Sequence, residues 1–119
     1  MTKPAPRLRL RLYFGDALML GPGKADLLEG IRDTGSIAAA GRAMSMSYKR
    51  AWSLVDEMNT AFESPLVDSA RGGAKGGGAR LTQAGETVLA HYRKLEDITS
   101  EAGAARISAL RDMISDIPE

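Results

Sequence analysis

The sequence has no cysteine among its 119 residues. Disulfides and thiolate metal sites are therefore excluded, as suits a reducing compartment. It has a single histidine, His91, so a histidine-based zinc site or a Ser-His-Asp triad has too little to work with. Aromatic residues make up only 5%, and alanine, leucine and methionine must do most of the core filling. No apolar run approaches the ~20 residues of a membrane-spanning helix. The N-terminus is basic, but Arg7-Leu8-Arg9-Leu10-Arg11-Leu12 alternates strictly, whereas a signal peptide needs a continuous apolar core. No nucleophile, base and orienting group converge anywhere in the chain. The expectation is a soluble, cytoplasmic protein that is not an enzyme, has no contact with a membrane, and holds no cofactor or metal.

What is present suffices for one core. Hydrophobic residues reach 44%, which argues against global disorder and for a single domain over 1–119. The net charge is only +1, but its distribution is uneven. Residues 1–14 carry +4 (Lys3, Arg7, Arg9, Arg11). Residues 35–52 carry +3 (Arg42, Lys49, Arg50), and residues 69–82 carry +3 (Arg71, Lys75, Arg80). The intervening segment 53–68 carries −4, and 83–119 carries −3. Clustered cations with acid elsewhere form an electrostatic footprint suited to phosphate.

Periodicity orders the elements. Residues 7–14 alternate with period two, which predicts a strand with Leu8, Leu10 and Leu12 on one face. Ala17-Leu18-Met19-Leu20 is a short strand or an irregular link between the breakers Gly15-Asp16 and Gly21-Pro22-Gly23. A helix over 24–34 buries Leu27, Leu28 and Ile31, and Gly35 supplies a left-handed C-cap. Ser36 caps an alanine-rich helix over 37–43, whose small side chains allow close helix approach. After the turn Met44-Ser45-Met46-Ser47, Ser47 caps a helix over 48–62 with Ala51, Val55, Met58 and Phe62 inward and Trp52 beside them. Residues 66–71 and 79–81 pair as a hairpin around a glycine-rich tip, and Thr82 caps a long last helix. Gly103 is a candidate kink or fraying point in it. The fold class is mostly α with a small β wing. It is a winged helix-turn-helix with core and wing over 7–82 and a long C-terminal dimerisation helix over 83–117.

The 48–62 helix carries the chemistry. Its N-terminal end gathers Ser47, Tyr48, Lys49, Arg50 and Ser53, and that end of a recognition helix enters the major groove first. Lys49 and Arg50 can bind phosphate or read guanine, the serines suit phosphate or base, and Tyr48 can stack on a sugar or donate to phosphate. The bland alternative is a surface helix with a charged first turn. Arg71, Lys75 and Arg80 flank or occupy the wing tip and can follow a phosphate backbone. A nucleotide-binding loop fails there, because Lys75 is followed by glycines and a strand rather than by Ser/Thr opening a helix. The DNA-contacting set is therefore Ser45, Ser47, Tyr48, Lys49, Arg50, Ser53, Arg71, Lys75 and Arg80. Asp56/Glu57 and Glu96/Asp97 diverge by ~100° on a helix and read as solvated faces.

Several motifs together resemble the N-terminal DNA-binding domain of ModE-type molybdate-responsive transcription regulators. They are Asp33-Thr34-Gly35-Ser36-Ile37, Met46 through Trp52, Asp56-Glu57-Met58-Asn59, Leu66-Val67, and the wing from Arg71 to Thr82. The Leu81-Thr82-Gln83-Ala84-Gly85 segment also resembles LysR-type winged helices. The resemblance covers about residues 7 to 100. It implies a homodimer on double-stranded DNA with an inverted-repeat operator, and a link to molybdenum transport or cofactor genes. Family members bind molybdate in C-terminal domains, and none is expected within this sequence. Burying the apolar stripe of the long helix against a partner helix, with the N-terminal strand joining in, gives the homodimer a physical basis as well. The alternative from a different class is a winged-helix protein-interaction module without sequence-specific DNA binding.

Overall fold

The computed structural model describes residues 3–69 and 78–116. Strand β1 (Leu12–Phe14) pairs antiparallel with β2 (Leu18–Leu20), with Phe14 opposite Leu18 across the tight turn. Helices α1 (Pro22–Thr34), α2 (Ile37–Ala43) and α3 (Tyr48–Ala61) follow. Strands β3 (Val67–Ser69) and β4 (Ala79–Leu81) then form the base of an antiparallel wing, and α4 (Gln83–Met113) ends the fold.

The helix boundaries are set by local chemistry. Pro22 opens α1, where its missing N–H is no loss. Gly35 closes α1 at φ 71°, a left-handed conformation that a Cβ disfavours, and its N–H donates to the Ile31 carbonyl at 2.8 Å. Ser36, Ser47 and Thr82 each accept a backbone N–H with the side-chain oxygen, from Ala39, Arg50 and Gly85, all at 3.0 Å. Such caps contribute ~1 kcal/mol each. These are the caps expected from sequence.

One core joins the helices. Leu27, Leu28 and Ile31 of α1, Ala51, Val55 and Met58 of α3, and Leu66 and Tyr92 are all essentially excluded from solvent. Leu54 is buried too, whereas Phe62, expected on the inner face of the helix, is its half-buried C-cap. Small residues set the spacing. A Cβ on Gly30 would come 3.0 Å from the Ala40 Cβ, and one on Gly41 would come 3.0 Å from the Ala51 Cβ. Helix α2 therefore lies close against both neighbours. Trp52 is half-buried against the same core.

Two ion-pair groups lock the bundle. Lys24 is buried, and its ammonium meets Glu57 of α3 at 2.6 Å. Arg93 of α4 reaches Asp26 at 2.9 Å and Glu29 at 3.2 Å, both on α1, and Glu96 at 3.0 Å. Burial works against the charged guanidinium, but the hydrogen bonds to Asp26 and Glu96 outweigh it and hold the pKa of Arg93 above its ordinary value. Glu57 and Glu96 thus depart from the expectation of purely solvated acids.

The N-terminal strand expected over 7–14 shrinks to Leu12–Phe14. Residues 3–11 run without strand partners and lie along α4 instead. The Tyr92 hydroxyl donates to the Leu10 carbonyl at 2.6 Å, Arg111 Nε donates to the Pro4 carbonyl at 3.0 Å, and Lys3 Nζ donates to the Asp112 and Ile114 carbonyls. Of the period-two leucines, Leu8 lies in a groove with α4, whereas Leu12 remains in the β1–β2 pair. The segment shares a groove with Ser100, Ala104, Ile107 and Arg111. At ~100° per residue these positions lie away from the exposed Leu95, Ile98, Leu110 and Met113. Helix α4 spans 31 residues with no break at Gly103, ~46 Å at 1.5 Å rise, and accounts for most of the 57 Å long axis of the molecule.

Thr82 and Gly85 fasten α4 to the wing. The Thr82 N–H donates to the Leu66 carbonyl at 2.9 Å, and its hydroxyl donates to the Pro65 carbonyl at 2.7 Å. A Cβ on Gly85 would overlap the Leu66 carbonyl oxygen, which is backbone and cannot swing away. Gly85→Ala is expected to destabilise the fold by ~1–3 kcal/mol, the range of core overpacking, despite the better helix propensity of alanine. Urea unfolding checks this; a change below ~0.5 kcal/mol, the range of neutral surface substitutions, contradicts it.

Candidate nucleic-acid interface

Helices α2 and α3 and the turn between them build the surface. The turn closes through Met44 N–H and Met46 N–H, both donating to the Gly41 carbonyl, at 3.0 and 2.9 Å. Ser45 sits between them at φ 56°, a left-handed conformation in a residue with a Cβ. The turn thereby reverses in a few residues and delivers Ser47 as the cap of α3.

On α3 the inward residues Ala51, Leu54, Val55 and Met58 fix the helix rotation. At ~100° per residue, Lys49 and Ser53 then lie on the outward face, with Arg50 on one flank and Tyr48 and Trp52 on the other. Ser47, Tyr48, Lys49, Arg50 and Ser53 are all exposed. Among the described residues neither Lys49 nor Arg50 has a carboxylate within ion-pair distance. The first turn of α3 contains no acid, so its positive helix end remains open to an anion. Tyr48 rests edge-on against Trp52, with ring centroids 6.2 Å apart and planes at 79°. That contact holds the phenol ring while leaving it 58% exposed. Asp56, farther along the outward face, limits the cationic surface to the first two turns.

The Ser47 oxygen is committed to the cap, which leaves its hydroxyl proton for an outside acceptor. Arg80 of β4 is exposed and stands opposite Asp68, 3.7 Å away across the strand pair. Its charge is therefore partly offset. Arg71 and Lys75 lie outside the described residues. The structure thus gathers Ser45, Ser47, Tyr48, Lys49, Arg50 and Ser53 on one turn and helix end, whereas Arg80 stands apart on wing strand β4, which packs against α1 and α4. Exposed Arg42 at the end of α2 is a cation that the expected set omits; its place just before the turn is the signal that could have found it. Among the described residues no group of three His, Cys, Asp or Glu side chains could hold a metal, and no helix is long and apolar enough to cross a membrane.

Sequence reasoning also misses Asn59 as a structural element of this surface. Its Oδ1 accepts from Leu66 N–H at 2.8 Å and Val67 N–H at 3.1 Å, and its Nδ2 donates to the Val67 carbonyl at 3.0 Å. The opposite wing strand is held by Ala79 N–H donating to the Gly35 carbonyl at 2.9 Å.

Ser45→Gly is expected to raise stability by ~0.5–1 kcal/mol, since glycine removes the left-handed strain at some entropic cost. Thermal unfolding measures it, and a loss of stability contradicts the strained-turn reading.

The chain is similar to proteins of known kind. Residues 25–86 match the model of the bacterial regulatory helix-turn-helix protein, lysR family. Over 95 residues the chain is 46% identical to the molybdenum transport protein ModE of Azotobacter vinelandii, covering 80% of this chain and 34% of that protein. It is 42% identical over 93 residues to the molybdenum-pterin-binding protein MopA of Rhodobacter capsulatus, covering 78% and 35%. It is 38% identical over 93 residues to the DNA-binding transcriptional dual regulator ModE of Escherichia coli K12, covering 78% and 36%. The chain spans about a third of the length of these curated relatives. Among solved structures, the CbnR DNA-binding domain in complex with DNA superposes with a TM-score of 0.58 at 17% identity, covering 74% of this chain and 95% of that one. That likeness shows a shared winged-helix fold. With the family model spanning the helix-turn-helix, the wing and the start of α4, the chain belongs to the lysR family of bacterial regulatory helix-turn-helix proteins.

Proposed function

We propose that this chain is a sequence-specific DNA-binding unit of a transcription regulator, acting on genes of molybdenum transport or cofactor formation. The observation that carries it is the acid-free first turn of α3, where Lys49 and Arg50 stand exposed and without carboxylate partners among the described residues. Relatives named as ModE regulators supply the molybdenum link. The roles are these: Ser47, Tyr48, Lys49, Arg50 and Ser53 enter the major groove. Ser45 approaches the backbone beside them, and Arg71, Lys75 and Arg80 follow the flanking phosphates from the wing. The proposal concerns the DNA-binding unit alone, read as one winged-helix domain in the cytoplasm.

A homodimer on an inverted repeat accompanies this reading. Leu95, Ile98, Leu110 and Met113 are exposed on α4, and with Ala102 and Ala109 they fall within one stripe at ~100° per residue. A second copy of the helix buries that stripe and pairs two recognition helices. The N-terminal segment is already bonded to its own α4, so the helix stripe carries most of the dimer interface.

The test uses a duplex selected by the wild-type protein from a random pool. With roughly five phosphate contacts per dimer, the logarithm of affinity falls against the logarithm of salt with slope near −5. Lys49→Ala and Arg50→Ala each weaken binding by about 10- to 100-fold, the effect of removing one base-reading or phosphate-binding cation, measured by fluorescence anisotropy. Unchanged affinity in both variants removes α3 from the interface. Failure to select any duplex at low salt favours a protein-docking module instead.

A further inference from the structure

A winged helix binds DNA with two surfaces whose relative placement must match one duplex. In this fold the wing is a two-stranded ribbon, which is marginal on its own, so something must fix its pose. The connection from α3 to β3, residues 62–66, contributes no regular element. Asn59 supplies the bond instead. It lies near the C-terminal end of α3 on the same flank as Tyr48 and Trp52, at spacings of eleven and seven residues. Its carboxamide meets both the N–H and the C=O of Val67, as the peptide of a neighbouring strand would, and takes the Leu66 N–H as well. The other wing strand is fixed by Ala79 N–H on the Gly35 carbonyl, at the junction of α1 and α2. The base of the ribbon is thus held by the Ala79 backbone bond, by the Thr82 bonds to the Pro65 and Leu66 carbonyls and by the burial of Leu66 and Val67, and Asn59 is the side chain that ties it to α3.

We propose that Asn59 is a positioning residue for DNA recognition: it sets the angle of the wing against the recognition helix and so the register of the wing on the flanking phosphates. The inference deepens the DNA-binding reading and rests on it. Asn59 touches no DNA in this scheme. Its three hydrogen bonds couple α3 to β3, so a base-reading helix and a phosphate-following wing behave as one rigid reader. Solvent competes poorly for these bonds, because Asn59 is half-buried and Leu66 and Val67 are buried.

Asn59→Asp separates positioning from mere presence. The carboxylate keeps both acceptor bonds to Leu66 and Val67 N–H, but it has no donor for the Val67 carbonyl and sets oxygen against oxygen there. The chain has no cysteine, so spin labels at Thr60→Cys and Arg80→Cys report the distance from α3 to the wing without background. Asn59→Asp is expected to broaden that distance distribution. On the selected duplex, hydroxyl-radical protection persists at the centre of each half-site and disappears at the flank. Affinity falls about tenfold, and the salt slope becomes shallower by about one for each phosphate that the wing no longer neutralises. A distance distribution and flanking protection equal to wild type overturn the proposal, even if the melting temperature falls. Should Asn59→Asp not fold, Asn59→Gln keeps donor and acceptor but displaces them by one methylene. It is expected to shift the flanking protection, and wild-type protection overturns the proposal equally. A wild-type chain that selects no duplex overturns the DNA-binding reading itself, and this inference with it.

Discussion

Everything at the α2–α3 end depends on how closely α2 approaches its two neighbours. Gly30 against Ala40 and Gly41 against Ala51 are so close that an added methyl group would come within 3.0 Å of the facing Cβ. At such close approaches the helix axes are set by backbone and Cβ atoms rather than by adaptable side chains, and interiors this dense transmit displacement instead of absorbing it. The spacing of α3 from α2 is therefore set at Gly41 and Ala51. The Gly41 carbonyl extends the constraint by accepting both Met44 and Met46 N–H, so the residue that admits α3 also shapes the turn leading into it.

Helix α3 divides its work along its length. The first two turns present polar and cationic groups outward, while the last two turns hold the helix in place. Glu57 neutralises buried Lys24, and Asn59 grips the wing. Leu66 is the node where the elements meet. Its side chain is fully buried, its N–H goes to Asn59, and its carbonyl takes the Thr82 N–H while Gly85 passes beside it. Helix α3, the wing and α4 are thereby fastened at one residue, which explains why the Leu-Thr-Gln-Ala-Gly segment contains both a capping threonine and a glycine within a helix.

What can be read from sequence is what local chemistry decides. Ser36, Ser47 and Thr82 cap their helices, and Gly35 adopts the left-handed conformation, because each needs only its own next few residues. The exposed cluster around Lys49 is legible because the buried phase of α3 dictates what faces out. Residues whose roles depend on distant partners are not legible. Nothing near Lys24 signals Glu57, and nothing near Asn59 signals the backbone of Val67. The Arg/Leu alternation over 7–12 suggests a strand because period two marks an extended chain. Whether such a chain meets a strand or a helix is decided elsewhere, here by Tyr92 and Arg111 of α4.

The most direct test of the central claim is amide chemical-shift mapping of the folded chain titrated with a selected duplex. Large shifts are predicted at the backbone amides from Met44 to Ser53 and at Ala79 and Arg80, with residues 3–11 unaffected. Shifts concentrated on residues 3–11 and the distal half of α4, with 44–53 unmoved, would contradict a DNA-reading α3 and make the long helix the working surface.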